Sequence, residues 1–125
     1  TLNNVNVLFE LSDITKPKFF KEKFDIIVSN PPYITNEEKK LLSNNVKSFE
    51  PHSALFVEDD NPLFFYKNIL DFSISNLKSK GFLYLEINEN FSNEVLKLLK
   101  DKGFCDIKLK KDFRLKYRMI KAVKK

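Results

Sequence analysis

The segment FDIIVSNPPYI, residues 24–34, decides the fold class of this chain. Its first six residues form a short and almost continuously apolar run, which is the pattern of a strand covered on both faces in a parallel sheet. The run stops at Asn30-Pro31-Pro32-Tyr33, where each proline fixes its own φ near about −65° and lacks a backbone N–H. We therefore expect a strand over residues 24–29 that ends in a rigid turn.

The rest of the chain predicts further strands and helices in alternation. Residues 5–11 alternate like a strand, and residues 34–61 predict a long connection with a short helix near residues 37–42. The later apolar spacing, with Gly81 and Gly103 as stop signals, predicts these elements in order: a helix from Pro62 to just before Gly81, a strand over 82–87, a helix over 92–102 and two hairpin strands over 104–110 and 117–123.

This order of elements predicts an α/β fold with an open, mostly parallel sheet, to which the C-terminal hairpin adds an antiparallel edge. The 125 residues fit a single domain. Ligands of open α/β sheets bind beyond the carboxyl ends of the strands. We therefore expect a functional site where the strand over residues 24–29 ends.

Composition excludes several classes of site. With only two glycines, the chain contains no glycine-rich loop of the kind that cradles phosphates. One cysteine, Cys105, and one histidine, His52, exclude a disulfide framework within the chain and a cysteine-based zinc site, and we expect no metal site. No apolar run approaches the about 18 residues of a membrane span. We expect a soluble protein in a reducing compartment, the cytoplasm or an organelle of a eukaryote.

The formal net charge of +5 comes from lysine and is uneven along the chain. Of 22 basic residues only Arg114 and Arg118 are arginines, whereas readers of phosphates and bases usually favour arginine. Residues 1–95 carry 10 basic and 14 acidic side chains, and residues 96–125 carry 12 and 3. A solvated basic face is the favoured interpretation of this C-terminal surplus, and contact with a polyanion or acidic partner is the alternative.

Residues 30–33, which we call the Asn-Pro-Pro-Tyr turn, have the chemistry to hold a planar NH₂ group. The Asn30 side-chain oxygen and the Pro31 carbonyl can each accept one of its hydrogens, and the Tyr33 ring can stack on its plane. An enzyme that alkylates a weakly nucleophilic amide or exocyclic amine needs this orientation and these acceptors. A plain turn is the alternative, and the position directly after an apolar strand favours the functional interpretation.

The same segment resembles the catalytic segment of class I S-adenosylmethionine-dependent amino-methyltransferases, most closely the release-factor glutamine methyltransferases (the PrmC/HemK family). Four further motifs of that family have counterparts here: F-E-P-x-x-A-L at residues 49–55, Y-x-x-I at 66–69, G-x-L-x-x-E-I at 81–87 and K-D…R at 111–118. The resemblance implies a Rossmann-like class I methyltransferase sheet that lacks its first strands. Residues 1–125 would then be the C-terminal part of one catalytic domain, without the glycine-rich loop that binds most of the cofactor.

The resemblance also implies roles for individual residues. Asn30, Pro31 and Tyr33 would be catalytic, Pro32 would complete the substrate pocket, and Asn30 would also lie against the sulfonium of S-adenosylmethionine. Asp13 corresponds to an acidic position near the cofactor's adenine, for which a turn cap is an equally good interpretation.

Other residues of the family's motifs receive no part in the chemistry. For Glu50 we expect a role in positioning the long connection, and for Arg118 a structural role or contact with an acidic partner. His52 is interpreted as a loop residue. The strand over residues 24–29 would have one exposed edge, which invites dimerisation.

By this resemblance, the chain is part of a protein methyltransferase that transfers a methyl group from S-adenosylmethionine to the side-chain amide nitrogen of a glutamine in a peptide chain release factor. Two alternatives stay open. One is a nucleic-acid amino-methyltransferase acting on an adenine or guanine exocyclic amine, which shares the Asn-Pro-Pro-Tyr turn. The other is a truncated module that is inactive by itself. A membrane partner is not expected.

Overall fold

The computed structural model describes residue 3, residues 5–39 and residues 56–125 of the chain. The elements are, in order, β1 (Phe24–Ser29), β2 (Ile34–Thr35), α1 (Asn36–Lys39), β3 (Phe56–Val57), α2 (Phe64–Asn76), β4 (Leu77–Glu86), a 3₁₀ turn (Glu89–Phe91), α3 (Ser92–Asp101), β5 (Phe104–Lys111) and β6 (Tyr117–Lys124). No helix within the described ranges has the length and apolar character needed to cross a membrane.

The main sheet has four strands in the order β1-β4-β6-β5, and β2 and β3 form a separate short parallel pair. β1 pairs in parallel with β4, whereas β6 runs antiparallel to both of its neighbours, β4 and β5. Three of the four strands therefore point the same way. The α/β fold and the antiparallel hairpin are confirmed, but the antiparallel strand lies inside the sheet rather than at its edge, because β6 inserts between β4 and β5.

One face of the sheet is covered by α2 and α3. Tyr66 and Leu70 of α2 and Val95 and Leu99 of α3 are fully buried. They belong to one apolar cluster with Ile87, which follows β4, and with the strand residues Leu77, Leu83, Leu85, Phe104, Ile120 and Ala122. The opposite face, which we call the open face, carries the exposed side chains of Ile26, Val28, Tyr84 and Met119. The core of the described residues thus lies on one side of the sheet.

The strand predicted over residues 5–11 is wrong. These residues form no regular structure and pair with no strand among those described, and Leu8, Phe9 and Leu11 are at least 89% exposed. Alternating apolar residues form a strand only when a neighbouring strand pairs with their backbone groups. Among the described strands, β1 has only β4 beside it, and its other edge is exposed, as expected from the sequence.

The helix predicted from Pro62 is shorter than expected at both ends. It begins at Phe64 and stops at Asn76, and Leu77 is already extended, with φ −76° and ψ 147°. Gly81 does not follow a helix but lies inside β4, where the β1–β4 register is irregular and Lys80 has a φ of 64°. A glycine that was interpreted as a helix stop therefore marks a bulge in a strand.

The strand predicted over residues 82–87 begins five residues earlier, at Leu77, directly after α2, and ends at Glu86. The strand over 24–29, the helix over 92–102 and the two hairpin strands agree with the structure within a residue. Residues 37–42 are described only as far as Lys39, which ends the short helix α1. The long connection contains β2, α1 and β3, and its residues 40–55 lie outside the described part.

Asn76, at the end of α2, fastens the segment that leads into β1. Its fully buried carboxamide donates to the carbonyls of Lys18, at 2.8 Å, and Phe72, at 3.0 Å, and accepts from the Phe20 N–H at 2.9 Å. A buried amide with all these bonds made costs little, but its removal leaves two backbone groups of the leading segment without partners.

We therefore expect Asn76→Ala to lower the free energy of unfolding by about 1–3 kcal/mol. The measurement is urea unfolding of the full-length protein. Asn68→Ala is the matched control, because among the described residues the half-buried Asn68 side chain donates only to the Phe64 carbonyl of its own helix. Equal losses for the two variants would contradict the role of Asn76.

Gly81 is required because two backbone carbonyls approach it closely, one from its own strand β4 and one from β1. A Cβ atom built there would lie 2.9 Å from the Lys78 carbonyl oxygen and 3.1 Å from that of Asp25. Because both neighbours are backbone, we expect Gly81→Ala to destabilise the fold by about 1–3 kcal/mol, the usual effect of overpacking. Thermal unfolding measures this, with Ser79→Ala at an exposed position of the same strand as control. A Gly81→Ala variant as stable as that control would show that β4 relaxes freely here.

Candidate functional site

The Asn-Pro-Pro-Tyr turn lies at the carboxyl end of β1, where the strand order predicted a site. Asn30 is exposed, Pro31 is buried, and Tyr33 is half-buried. The two prolines have no backbone N–H to donate, and their rings fix φ at both positions. The burial of Pro31 further fixes the path of the chain. The turn therefore presents an exposed amide on a stiff backbone.

Asn30 and Tyr33 face different cavities. Asn30, Pro31 and Pro32 line a cavity of about 320 Å³ whose opposite wall is apolar and includes Phe65 and Phe72. Tyr33 lines a second cavity of about 650 Å³ together with polar and charged residues, namely Glu38, Asn88, Glu89, Asn90, Asp112, Arg114, Lys116 and Arg118. The turn thus borders an apolar cavity and a polar one, and Asn30 also lines a third cavity of about 890 Å³ on the open face of the sheet.

The side chain of Tyr33 is held at its hydroxyl and over its ring. The hydroxyl donates to Glu86 Oε1 at 2.5 Å, and the Arg118 guanidinium carbon lies 5.8 Å from the ring centroid. Burial, together with the hydrogen bond and the negative charge of Glu86, raises the pKa of Tyr33 to about 12. Tyr33 is therefore a neutral hydrogen-bond donor at physiological pH, and its ring has a defined orientation.

The backbone of Tyr33 is held by Asn88, which follows β4. Asn88 is 4% exposed, and its Nδ2 donates to the Tyr33 carbonyl at 3.1 Å and to the Glu38 carboxylate oxygens at 2.9 and 2.8 Å. Its Oδ1 accepts from the Asn90 N–H at 3.0 Å, and its own N–H donates to the buried Tyr66 hydroxyl at 3.0 Å. Every polar group of the Asn88 side chain is thus satisfied.

Glu38 links this cluster to α1. Its carboxylate accepts from Asn88, from Asn90 Nδ2 at 2.6 Å and from the Thr35 N–H at 3.0 Å, while its own N–H donates to Thr35 Oγ1 at 3.3 Å. Burial acts to raise the pKa of Glu38, but the hydrogen bonds from Asn88, Thr35 and Asn90 outweigh it and lower that pKa. The reciprocal bonds with Thr35 form a capping box at the start of the helix.

Charges at the polar cavity are partly neutralised within the chain. Arg118 Nε lies 3.8 Å from Asp112 Oδ2, and its Nη1 donates to the Ile87 carbonyl at 3.3 Å. Lys116 pairs with Glu89. The structure thus gives Arg118 contacts within the fold, as the structural interpretation of this residue predicts.

Asp13 does not lie with the other predicted site residues. Its carboxylate accepts from the Thr15 N–H at 3.0 Å and from Thr15 Oγ1 at 2.7 Å, and these bonds and the nearby Lys16 lower the pKa of Asp13. It lines a separate cavity of about 160 Å³ that shares Ile14 and Phe72 with the cavity at Asn30. These contacts match the turn-cap interpretation, and a place near the cofactor's adenine stays a prediction.

Sequence reasoning missed the two residues that fix the turn's backbone from outside, Asn88 and Glu38. The available signal for Asn88 was its position directly after an apolar strand, because the carboxyl ends of neighbouring parallel strands meet at one edge. Nothing local pairs Glu38 with Asn88, 50 residues away. The predicted loop residues Glu50 and His52 lie outside the described residues.

Comparison with known proteins shows similarity to methylases. The family model described as Eco57I restriction-modification methylase matches residues 2–102. A release factor glutamine methyltransferase of Flavobacterium psychrophilum is 45% identical over 121 residues, which are 97% of this chain and 42% of the relative. The one of Bacteroides thetaiotaomicron is 39% identical over 99 residues, which are 79% of this chain and 36% of the relative. The chain thus spans less than half the length of these curated relatives.

A solved structure of a release-factor-specific protein-(glutamine-N5) methyltransferase from Alicyclobacillus acidocaldarius is also similar. It is 23% identical, has a TM-score of 0.49, and aligns with 82% of this chain and 50% of its own. A likeness of this size supports no inference by itself. The family model covers most of the residues described above, including β1, the Asn-Pro-Pro-Tyr turn and β4, and the chain therefore belongs to this methylase family.

Proposed function

We propose that the protein containing this chain transfers a methyl group from S-adenosylmethionine to the side-chain amide nitrogen of a glutamine in a peptide chain release factor. The observation that carries the proposal is the Asn-Pro-Pro-Tyr turn between an apolar and a polar cavity, with Asn30 facing the first and Tyr33 the second. The named activity of relatives that are 39% and 45% identical selects glutamine among the NH₂ groups that such a turn can hold.

In this proposal the turn orients the glutamine amide. Asn30 Oδ1 and the Pro31 carbonyl accept its two N–H hydrogens, which keeps electron density on the nitrogen and aims it along the line of attack. Tyr33 packs its ring against the amide plane, and Pro32 closes the pocket. As the N–C bond forms, the bond between the methyl carbon and the sulfonium sulfur would break, with its electron pair staying on sulfur, and S-adenosylhomocysteine would leave. One of the two N–H protons then goes to water, so no side chain is required as a general base.

S-adenosylmethionine, when bound, supplies the methyl group as a sulfonium. The residues around Asn30 fit one end of this cofactor, because an exposed amide beside an apolar wall can pack against its reactive end. No acidic side chain among the described residues lines that cavity. We place Asp13 toward the adenine, because the cavity that Asp13 lines adjoins the cavity at Asn30 and both are lined by Ile14.

The same proposal has consequences for the domain, the partner protein and the cellular compartment. Residues 1–125 form the C-terminal part of one methyltransferase catalytic domain, and the peptide chain release factor is its protein partner. The reaction belongs where release factors work, in the cytoplasm or in an organelle of a eukaryote. The exposed edge of β1 offers a surface for pairing with another strand, within the same protein or in a dimer.

A nucleic-acid amino-methyltransferase is the second candidate, because the matching family model is described as a restriction-modification methylase. Against it, Arg118 and Lys116 are paired with acidic residues of the chain itself. The two candidates differ in salt dependence, since binding to nucleic acid weakens steeply as salt rises. Transfer to RNA or DNA with a steep salt slope, and none to a release factor, would favour the second candidate.

The first test concerns Asn30. In the full-length protein, with labelled donor and a release factor, we expect Asn30→Ala to slow methyl transfer about a hundredfold or more, the usual effect of losing one preorganised partner of the reacting group. Asn68→Ala removes a half-buried amide of α2 that lies outside the turn and should transfer at the wild-type rate. Undiminished transfer by Asn30→Ala would contradict the proposal that Asn30 holds the glutamine amide.

The second test concerns the hydroxyl of Tyr33. We expect Tyr33→Phe, which keeps the ring but loses the bond to Glu86, to slow transfer about tenfold, since hydrogen bonds to charged groups contribute about 1.5–3 kcal/mol. Because the pKa of Tyr33 is raised from 10.0 to about 12, the phenol stays protonated at any pH below 10. The hydrogen bond from its hydroxyl to Glu86 is therefore lost only as the pH rises through about 12.

The ratio of the Tyr33→Phe rate to the wild-type rate should therefore stay constant from about pH 7 to about pH 10. Transfer rates measured across this range check the expectation. A ratio that climbs toward one within the range would show that Tyr33 ionises there.

A further inference from the structure

We propose that Asn88 is a positioning residue for the methyl transfer and that it acts by clamping the Tyr33 carbonyl to the Glu38 carboxylate. This inference rests on the proposed function. Asn88 lies after the strand β4 and outside the Asn-Pro-Pro-Tyr turn, and nothing in the proposed chemistry requires it to touch the reacting atoms. Its effect on the reaction would pass through the backbone of Tyr33.

Two residues at the end of β4 hold the two ends of Tyr33. Glu86 accepts from the Tyr33 hydroxyl at 2.5 Å, and Asn88 Nδ2 donates to the Tyr33 carbonyl at 3.1 Å. If Tyr33 were held only at its hydroxyl, its backbone could still move. If it were held only at its carbonyl, its ring could still rotate. Together the two contacts fix both the ring and the main chain.

The Asn88 carboxamide can sit in only one orientation. Nδ2 has two hydrogens, and the Tyr33 carbonyl and the Glu38 carboxylate are both acceptors, while Oδ1 receives the Asn90 N–H at 3.0 Å. Turning the amide over would aim its oxygen at a carbonyl and a carboxylate. Because Asn88 is 4% exposed, water cannot replace these partners easily.

The position of Tyr33 matters for the acceptor carbonyl of Pro31. Only Pro32 stands between them, and its ring fixes φ, one of the few torsions that could otherwise absorb a shift at Tyr33. A displaced Tyr33 carbonyl therefore moves the Pro31 carbonyl as well. The expected consequence of losing the clamp is a slower transfer step with little change in affinity for the release factor.

The decisive variant is Asn88→Asp, which keeps the shape but replaces two donors with an acceptor facing Glu38 and the Tyr33 carbonyl. We expect kcat for release-factor methylation by the full-length protein to fall at least about tenfold at neutral pH, with KM within about twofold. Protonation of the new carboxyl restores a donor, so the ratio of variant to wild-type kcat should rise as pH falls from about 8 to about 6.

Several titratable or charged groups surround this position and belong to different elements. They are Glu38 of α1, Tyr33 of the turn, Tyr66 of α2, Glu86 of β4, Glu89 of the 3₁₀ turn and Arg118 of β6. The two tyrosines have raised pKa values and stay neutral in this range. The pH measurement is therefore made as a ratio to wild type, in which these shared groups cancel.

A second substitution tests the partner. Glu38→Gln in the Asn88→Asp background gives the new carboxylate an NH₂ donor and should recover at least about threefold of the lost kcat at neutral pH. Asn76→Asp is the control, because it makes the same chemical change at a buried asparagine of α2. It should lower the unfolding temperature without a pH-dependent kcat ratio. Should Asn88→Asp fail to fold, Asn88→Ser removes the clamp without adding a charge and should show the same loss of kcat.

The outcomes separate this inference from the proposed function. Suppose that the wild-type protein methylates a release factor. The clamp is then overturned, and the function stands, if Asn88→Asp keeps the wild-type kcat. The same conclusion holds if the variant loses kcat without pH dependence and without rescue by Glu38→Gln. If the wild type does not methylate a release factor, the proposed function fails. A double-mutant cycle of unfolding free energies for residues 38 and 88 still tests the contact, and additive effects would overturn it.

Discussion

The parallel pairing of β1 with β4 is the constraint on which the site depends. It aligns Ser29 with Leu85 and so brings the carboxyl ends of the two strands to one edge of the sheet. Tyr33, which closes the turn after β1, and Asn88, which follows β4, then lie within hydrogen-bond distance although they are 55 residues apart in sequence. A slip of the register would move Glu86 and Asn88 away from Tyr33 together.

Local patterns predicted those parts of the fold that depend on local physics. The apolar run of β1, the two prolines and the amphipathic helix α3 each contain their own signal within a few residues. The strand expected over residues 5–11 and the helix stop expected at Gly81 were wrong because their outcome depends on a partner. A strand needs a neighbouring strand to hydrogen-bond with its backbone. A glycine is equally suited to the end of a helix or to a bulge beside another strand.

The site divides in the same way. The acceptor pair of Asn30 and Pro31 was predicted because both residues belong to one short turn of distinctive composition. The residues that orient this turn come from α1, α2, β4 and β6, and each contributes one polar side chain. Tyr66, Glu86 and Arg118 belong to motifs that the sequence analysis identified, but nothing in those motifs indicates that they lie around Tyr33. Only the folded sheet brings Glu38, Tyr66, Asn88 and Arg118 around Tyr33.

The insertion of β6 between β4 and β5 has a consequence for the order of events during synthesis. On a ribosome, β4 emerges first and β5 next, but no hydrogen bond joins these two strands. The sheet therefore stays in two pieces until residues 117–124 have left the exit tunnel and filled the gap. During that interval the edges of β4 and β5 that will face β6 are both unpaired, and an unpaired strand edge is a template on which another chain can pair.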